Sequence, residues 1–177
     1  MNQYKILSPE NEKLLQEGVS TILKALDFKG PDFDLTPERL GRALRELCAG
    51  LDADVDMEVF KDGIFDVPGD RRIPTRFDNI SARGLCPHHL LPIIYTATVA
   101  YEPKRKVVGL SRIHRLVKIL AARPVLQEQL VYDIAKVLQD KLNCPVYVKL
   151  EGLHMCMCAR GSKTEMDSIV TSEIKLE

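Results

Sequence analysis

The feature that most constrains the fold is the order of hydrophobic patterns after residue 75. Four segments there alternate apolar with polar residues or are rich in β-branched residues, as strands are: residues 75–83, 92–101, 146–151 and 167–176. Two segments with helical spacing lie between the second and third strands; Ser111 is the candidate cap of the first, and Pro124 opens the second. The order β-β-α-α-β-β predicts an α+β fold, in which a four-stranded antiparallel sheet carries two helices on one face.

Two further helices are predicted ahead of this unit. Ser8-Pro9-Glu10 combines a capping hydroxyl with a proline at the first helical position, and Gly30-Pro31 ends the helix that follows. Thr36-Pro37-Glu38 repeats the start signal, and the apolar stripe behind it stops at Gly50. The two segments predict a pair of helices joined by a short loop.

The pattern weakens between these helices and the first strand. Residues 52–74 are mostly acidic and turn-forming and include Pro68-Gly69-Asp70, so we expect irregular structure there. We therefore divide the chain into three parts: an N-terminal helical arm (1–51), an irregular connection (52–74) and a domain that holds the predicted sheet and its two helices (75–177).

Charge and sheet edges limit the partners that the chain can have. The 25 Lys and Arg residues balance 25 Asp and Glu residues, so no global positive field attracts nucleic acid or an anionic membrane. No apolar run approaches the roughly 18 residues of a membrane span, and the first residues lack the apolar core of a signal peptide, so we expect a soluble, cytoplasmic protein.

The outer strands of an open sheet expose unpaired backbone groups, which favour aggregation unless another chain pairs with them. Self-association through the sheet edges is therefore expected.

Three of the five cysteines lie beside histidines, in two separate segments. Cys86-Pro87-His88-His89 has the C-x2-H spacing that lets a thiolate and an imidazole reach one metal ion, and His154-Met155-Cys156-Met157-Cys158 supplies further candidates. Three protein ligands plus water would form a catalytic zinc site, whereas four would form a structural site. A closed site would use Cys86, His89 and both downstream cysteines, with His88 and His154 as bystanders.

Strand geometry argues against the closed site. If the downstream segment is a strand, Cys156 and Cys158 point to opposite faces, and one metal ion easily takes only one of them. Two spare histidines beside an open zinc site are suited to proton transfer.

A second group of candidates is cationic and lies at a predicted helix start. Arg112 and Arg115 follow Ser111 there, and Arg160 comes just after the second cysteine segment. Arginine forks and helix N-termini suit phosphate oxygens, although a solvated helix face is the commoner reason for such a pair. Gln127 and Glu128 add an amide and a carboxylate; a carboxylate can accept two adjacent hydrogen bonds, as the N1–H and 2-amino group of guanine require.

These residues belong to longer stretches that lie in order along most of the chain. The stretches are TPER (36–39), CPHHLLP (86–92), VVGLSRIHRLV (107–117), ARPVLQEQL (122–130), HMCMCARG (154–161) and SIVTS (168–172). Together they resemble the GTP cyclohydrolase I family. The resemblance implies the tunnelling fold, whose ββααββ unit agrees with the predicted order, and a toroidal homodecamer, a dimer of pentamers, with active sites between subunits.

The resemblance also implies the chemistry. The family converts GTP and water into 7,8-dihydroneopterin triphosphate and formate, the first step of pterin and folate-type biosynthesis. Its implied zinc ligands are Cys86, His89 and Cys156, with water at the fourth position. His154 would protonate the imidazole ring nitrogen as that ring opens, His88 would assist the proton transfers, and Ser111 resembles the family's serine for the later ribose rearrangement.

The remaining family positions would bind the substrate. Glu128, with Gln127, would read the guanine edge. The implied triphosphate ligands are Arg112, Arg115, Arg160 and, across a subunit interface, Arg39.

The chain departs from the family pattern at several positions. Pro87 replaces the usual glutamate beside a zinc ligand, which removes a carboxylate and a backbone donor. Arg112 replaces the usual lysine, and Ile94-Tyr95 replaces the small or turn-forming residues common after the proline. The family's usual C-terminal helix does not follow before Glu177.

These departures leave other functions open. A catalytically silent relative would bind a purine nucleotide without turnover. An enzyme of altered specificity would use another metal, stop at an earlier step, or reduce the nitrile of a deazapurine. The reductase needs a nucleophilic cysteine and a nicotinamide, and it would leave the three metal-ligand candidates unexplained.

Overall fold

The computed structural model describes residues 8–67 and 73–177. Its first elements are two helices that pack on each other, α1 (Pro9–Ala25) and α2 (Thr36–Leu47). The hydroxyl of Ser8 accepts a hydrogen bond from the backbone N–H of Asn11 at 3.2 Å, which satisfies one of the free donors at the start of α1. The predicted pair of helices is confirmed.

Four long strands form one antiparallel sheet. In chain order the strands are β1 (Ile64–Asp66), β2 (Thr75–Leu85), β3 (Pro92–Tyr101), β4 (Lys106–Val108), β5 (Val146–His154) and β6 (Val170–Leu176). The sheet has the order β2-β3-β5-β6, so β2 and β6 are its edges among the described residues. The predicted α+β class and the ββααββ order of the tunnelling fold are confirmed, with the short strand β4 as an addition.

Two helices, α3 (Leu110–Ala121) and α4 (Gln127–Leu142), cover one face of this sheet. Their apolar faces are fully buried, as Ile113 on α3 and Ile134 on α4 illustrate. Burying one such side chain contributes roughly 1.5–3 kcal/mol, so this layer supplies the main core. In the described part of the chain, no helix combines the length and apolar character needed to cross a membrane.

Three predicted element starts are wrong. The helix α3 begins at Leu110 with Gly109 as its N-cap, so Ser111 is not the cap. The helix α4 begins at Gln127, because Pro124 instead forms a parallel bridge with Leu85 and the chain stays extended through Leu126. The last strand begins at Val170 and not at residue 167.

The segment predicted as irregular contains ordered structure. A π-helical turn over Asp56–Phe60 buries Val59 and Phe60 in the main core, and β1 pairs antiparallel with β4. Two apolar side chains were enough to anchor a segment whose polar composition predicted irregularity. The predicted turn at Pro68-Gly69-Asp70 lies outside the described residues.

Candidate active site

The predicted metal ligands lie together where β2 and β5 end. Cys86 follows β2 directly and opens a turn, in which its carbonyl accepts a hydrogen bond from the N–H of Leu90 at 2.8 Å. This turn brings Nδ1 of His89 to 3.5 Å from Sγ of Cys86. Cys156 supplies the third group, and the three candidate ligand atoms all lie within 4.8 Å of one another. Three residues separated along the chain therefore converge on one point.

The sequence predicted a strand for the second cysteine segment, but the structure has a helical turn there. The strand β5 ends at His154, and Met155–Cys158 forms a single helical turn, α5. Residues two apart still point in different directions on a helix, because successive residues rotate by about 100°. Sγ of Cys158 contacts the Thr164 hydroxyl and the Glu165 carbonyl, each at 3.7 Å. The cluster found among the described residues has three members and not four.

The donor set of this cluster fits a metal ion. Two thiols and one imidazole are soft to borderline ligands of the kind that zinc prefers, and three protein ligands leave one coordination position for water or substrate. Burial, and then the contact with Cys86, raises the pKa of the Cys156 thiol. A divalent cation between the two sulfur atoms would stabilise their thiolate forms and offset that cost.

His154 is held beside the cluster by a buried amide. Its Nε2 lies 2.8 Å from Oε1 of Gln127, which is 3% exposed. The orientation of this amide is well determined, because its nitrogen donates to the carbonyls of Val170 at 2.9 Å and Leu150 at 3.3 Å. Since an amide oxygen only accepts, Nε2 of His154 donates the hydrogen bond, and Nδ1 of the neutral ring keeps its lone pair.

The electrostatic surroundings keep this histidine neutral. Burial lowers the pKa of His154, and the charge of Glu128 offsets only part of that effect. Glu128 itself lies exposed in the first turn of α4. At pH 7 the ring is therefore a proton acceptor at Nδ1.

One glycine makes this arrangement possible, and the sequence analysis did not identify it. A Cβ atom at Gly152 would overlap Oε1 of Gln127 and would lie 3.0 Å from Nε2 of His154. Any larger residue at this position would push the amide away from the imidazole. The glycine in the middle of β5 was the available signal, because glycine inside a strand often marks a close approach.

Two of the predicted phosphate ligands are supported by the π-helical turn. Arg112 donates to the carbonyls of Glu58 at 3.1 Å and Lys61 at 3.4 Å, and Arg115 donates to the same Glu58 carbonyl at 2.9 Å. A guanidinium group has five donors, so each arginine keeps others available. The sequence analysis missed this support, because polar residues 52–74 gave no periodic signal.

The other predicted residues surround the cluster or lie on separate elements. His88 is exposed, with its ring centroid 6.2 Å from that of His89. Arg160 follows α5, and its charge lowers the pKa of Cys156 against the larger effects that raise it. Ser111 lies exposed in the first turn of α3, and Arg39 lies exposed on α2. Their predicted roles stay predictions.

Comparisons with known proteins point to one family. A family model described as GTP cyclohydrolase I matches residues 15–176. A protein named GTP cyclohydrolase 1 from Pyrobaculum neutrophilum is 42% identical over 160 residues, which cover 88% of this chain and 83% of that protein. A protein of the same name from Thermoanaerobacter pseudethanolicus is 38% identical over 170 residues, which cover 93% of this chain and 88% of that protein.

A solved structure, the archaeosine synthase QueF-Like in the apo form, is more distant. It is 19% identical, with a TM-score of 0.44, and the match covers 56% of this chain and 91% of that chain.

Proposed function

The chain belongs to the GTP cyclohydrolase I family of hydrolases, and from that premise we propose that it is a zinc enzyme that converts GTP and water into 7,8-dihydroneopterin triphosphate and formate. The observation that carries the proposal is the cluster of Cys86, His89 and Cys156, with His154 held beside it by the Gln127 amide. A purely structural metal site would need no histidine positioned in this way.

In the proposed mechanism, the metal site activates water and His154 transfers protons. Cys86, His89 and Cys156 would hold the zinc ion, which would supply Lewis-acid activation by lowering the pKa of its water toward about 7. Nδ1 of His154 takes the proton of the water that attacks C8 of the purine and delivers it to the imidazole ring nitrogen as the C8–N bond breaks. A second hydrolysis, assisted by His88, releases formate. The freed amine then closes the pterin ring after a ribose rearrangement that involves Ser111.

Charge complementarity selects and orients the substrate. The Glu128 carboxylate accepts from the N1–H and the 2-amino group of guanine, a pair of donors that adenine does not present. Arg112, Arg115 and Arg160 hold the triphosphate through the donors that remain free. Binding energy from the triphosphate, far from C8, then orients the base for attack. Gln127, predicted to read guanine together with Glu128, is 3% exposed and its amide is hydrogen-bonded inside the protein. In this proposal it contributes by fixing the imidazole of His154.

Assembly completes the site in this proposal. The edge strands β2 and β6 pair with neighbouring copies in a homodecamer, a dimer of pentamers, which removes unpaired backbone groups. Arg39 enters a neighbour's site across the interface. The product feeds pterin or folate-type biosynthesis in the cytoplasm.

The test supplies GTP to the purified, zinc-loaded protein and follows formate release and pterin absorbance, with a chelated sample as control. We expect both products, and we expect the chelator to abolish both. Formate without pterin would replace the proposal with an enzyme that stops before the ribose rearrangement. Neither product, despite bound zinc and GTP, would reject catalysis and favour a silent relative, for which the Pro87 substitution would be the first explanation.

A further inference from the structure

Tyr95 is a buried tyrosine whose hydroxyl has no hydrogen-bond partner in the described parts of the chain. It lies in β3 opposite Gly152 of β5, and its side chain is 1% exposed. Among the described residues, its hydroxyl oxygen is buried without a hydrogen bond. Buried tyrosine hydroxyls are normally paired, because an unsatisfied one costs about 1–3 kcal/mol. A buried hydroxyl without a partner needs an explanation, and one explanation is an acceptor that forms only when a ligand or metal ion is bound.

The surroundings of the ring are shaped to hold it in one place. A Cβ atom at Gly84 in β2 would lie 3.1 Å from Cε2 of Tyr95, and one at Gly152 would lie 3.1 Å from Cε1. The two glycines therefore leave a slot between neighbouring strands. The His154 ring packs edge-on against Tyr95, with centroids 6.3 Å apart and planes at 89°. The side chain has little freedom to turn its hydroxyl elsewhere.

The residues around the Tyr95 ring lie toward the end of the sheet that holds the metal ligands. His154 and Gly84 both lie level with Ile93, two residues nearer than Tyr95 to the end of the sheet where Cys86 and Cys156 lie. Burial, followed by the charges of Cys86, Glu128 and Cys156, raises the pKa of Tyr95. The hydroxyl thus keeps its proton and can donate a hydrogen bond close to two potential thiolates.

Thiol chemistry indicates which group could accept a hydrogen bond from the Tyr95 hydroxyl. A neutral thiol is a weak acceptor, whereas a thiolate accepts strongly, and a bound metal ion deprotonates its thiol ligands. Oε1 of Gln127 accepts from His154 and makes no hydrogen bond with the Tyr95 hydroxyl. Cys86 comes two residues after Gly84, the residue that lies against Cε2 of Tyr95, and it is itself 5% exposed. After the larger effect of burial, its charge adds to the raised pKa of Tyr95.

We propose that Tyr95 is a positioning residue of the metal centre, whose hydroxyl donates a hydrogen bond to the Cys86 thiolate when the metal ion is bound. The inference rests on the metal site of the proposed function. The hydroxyl then destabilises the metal-free protein and stabilises the metal-loaded one.

The test compares Tyr95→Phe with the wild type and with Tyr101→Phe. Phenylalanine keeps the ring and removes only the hydroxyl. Tyr101 is the matched control, because it is also buried in β3, but its hydroxyl accepts from the N–H of Val108, at the opposite end of the strand. Zinc affinity is measured by competition with a chromophoric chelator, and thermal unfolding is followed with and without zinc. The thiolate-to-metal absorption band is recorded after cobalt substitution.

We expect Tyr95→Phe to bind zinc about tenfold more weakly, in the range seen when outer partners of metal ligands are removed. Its cobalt band should shift, and its metal-free form should melt no lower than the wild type. Tyr101→Phe should melt lower and keep both the zinc affinity and the band. Unchanged affinity and an unchanged band in Tyr95→Phe would overturn the inference, as would a lower melting temperature of its metal-free form. A wild type that binds no zinc would instead overturn the metal centre of the proposed function, and a wild type that binds zinc without releasing formate would overturn only the catalysis.

Discussion

The helical arm and the sheet with its two helices bury their apolar residues in opposite ways. Among the described residues of the arm, only Val19 and Gly41 are buried, while Leu14, Ile22 and Leu26 are each more than half exposed. The sheet and its helices enclose a continuous core in which Ile113, Ile134 and many others are inaccessible. The second region holds its own core and the metal-ligand cluster, whereas the first presents an apolar surface that the described residues do not cover. Helical spacing of apolar residues therefore predicts that a helix forms, but it does not identify the surface against which the apolar face packs.

The largest expected effect comes from removing a metal ligand from the self-contained region. Cys156→Ala should lose zinc and turnover together, by about a thousandfold or more, because Lewis-acid activation contributes several kcal/mol. Metal analysis and formate release measure both quantities. Cys158→Ala is the matched control, two residues away and outside the cluster, and should keep both. Full activity in a metal-free Cys156→Ala protein would reject the zinc mechanism.

The same truncation in the two regions tests the contrast in burial directly. Ile134→Ala should lower the free energy of unfolding by about 2–5 kcal/mol, because it leaves a cavity in a fully packed core. Ile22→Ala, at a residue 54% exposed, should change it by less than about 0.5 kcal/mol. Urea unfolding of both variants provides the values, and equal losses would contradict the contrast. If the arm contributes to the proposed decamer, Ile22→Ala should also weaken assembly in sedimentation experiments.

A single methyl group should also act differently in the two regions. Gly152→Ala displaces Gln127 from His154, and we expect kcat to fall about 100-fold, the cost of a misplacement near 1 Å. Zinc content should stay unchanged. Gly18→Ala in α1 is the control, because a Cβ there meets nothing within 4 Å and should stabilise the helix by about 0.5–1 kcal/mol. Normal kcat in Gly152→Ala would remove the amide from its positioning role.

The smallest expected effect concerns an ion pair within the arm. Nη1 of Arg45 on α2 lies 2.6 Å from Oε2 of Glu12 on α1, and both side chains are partly exposed. Glu12→Gln should therefore lower the stability of α1 by less than about 1 kcal/mol, as read by hydrogen exchange. Zinc binding and turnover should not change. A loss above about 2 kcal/mol would mean that the arm depends on this pair more than surface ion pairs allow.

The repeating patterns of the chain were enough to predict most of the fold. The two helical stripes and four strand segments gave the ββααββ order, since period 3.6 and period 2 each report which face is buried. Element starts were predicted less well: Pro124 is a reasonable helix start by its local chemistry, but its bridge to Leu85 keeps it extended. The π-helical turn had no periodic signal, and only its contact with the core ordered it.

The sequence by itself determined which residue types are available for the site and in what order they occur. Cys86-Pro87-His88-His89 and the segment from His154 to Cys158 predicted a metal cluster, because thiol and imidazole groups at these spacings can reach one ion. The family resemblance already named Cys156 as the third ligand, and the tertiary structure brings its sulfur to Cys86 and His89. Only the tertiary structure decided that Gln127 holds His154 and that the Tyr95 hydroxyl has no hydrogen-bond partner among the described residues. Those outcomes depend on distances between strands and helices far apart in the chain, which packing sets and local sequence does not encode.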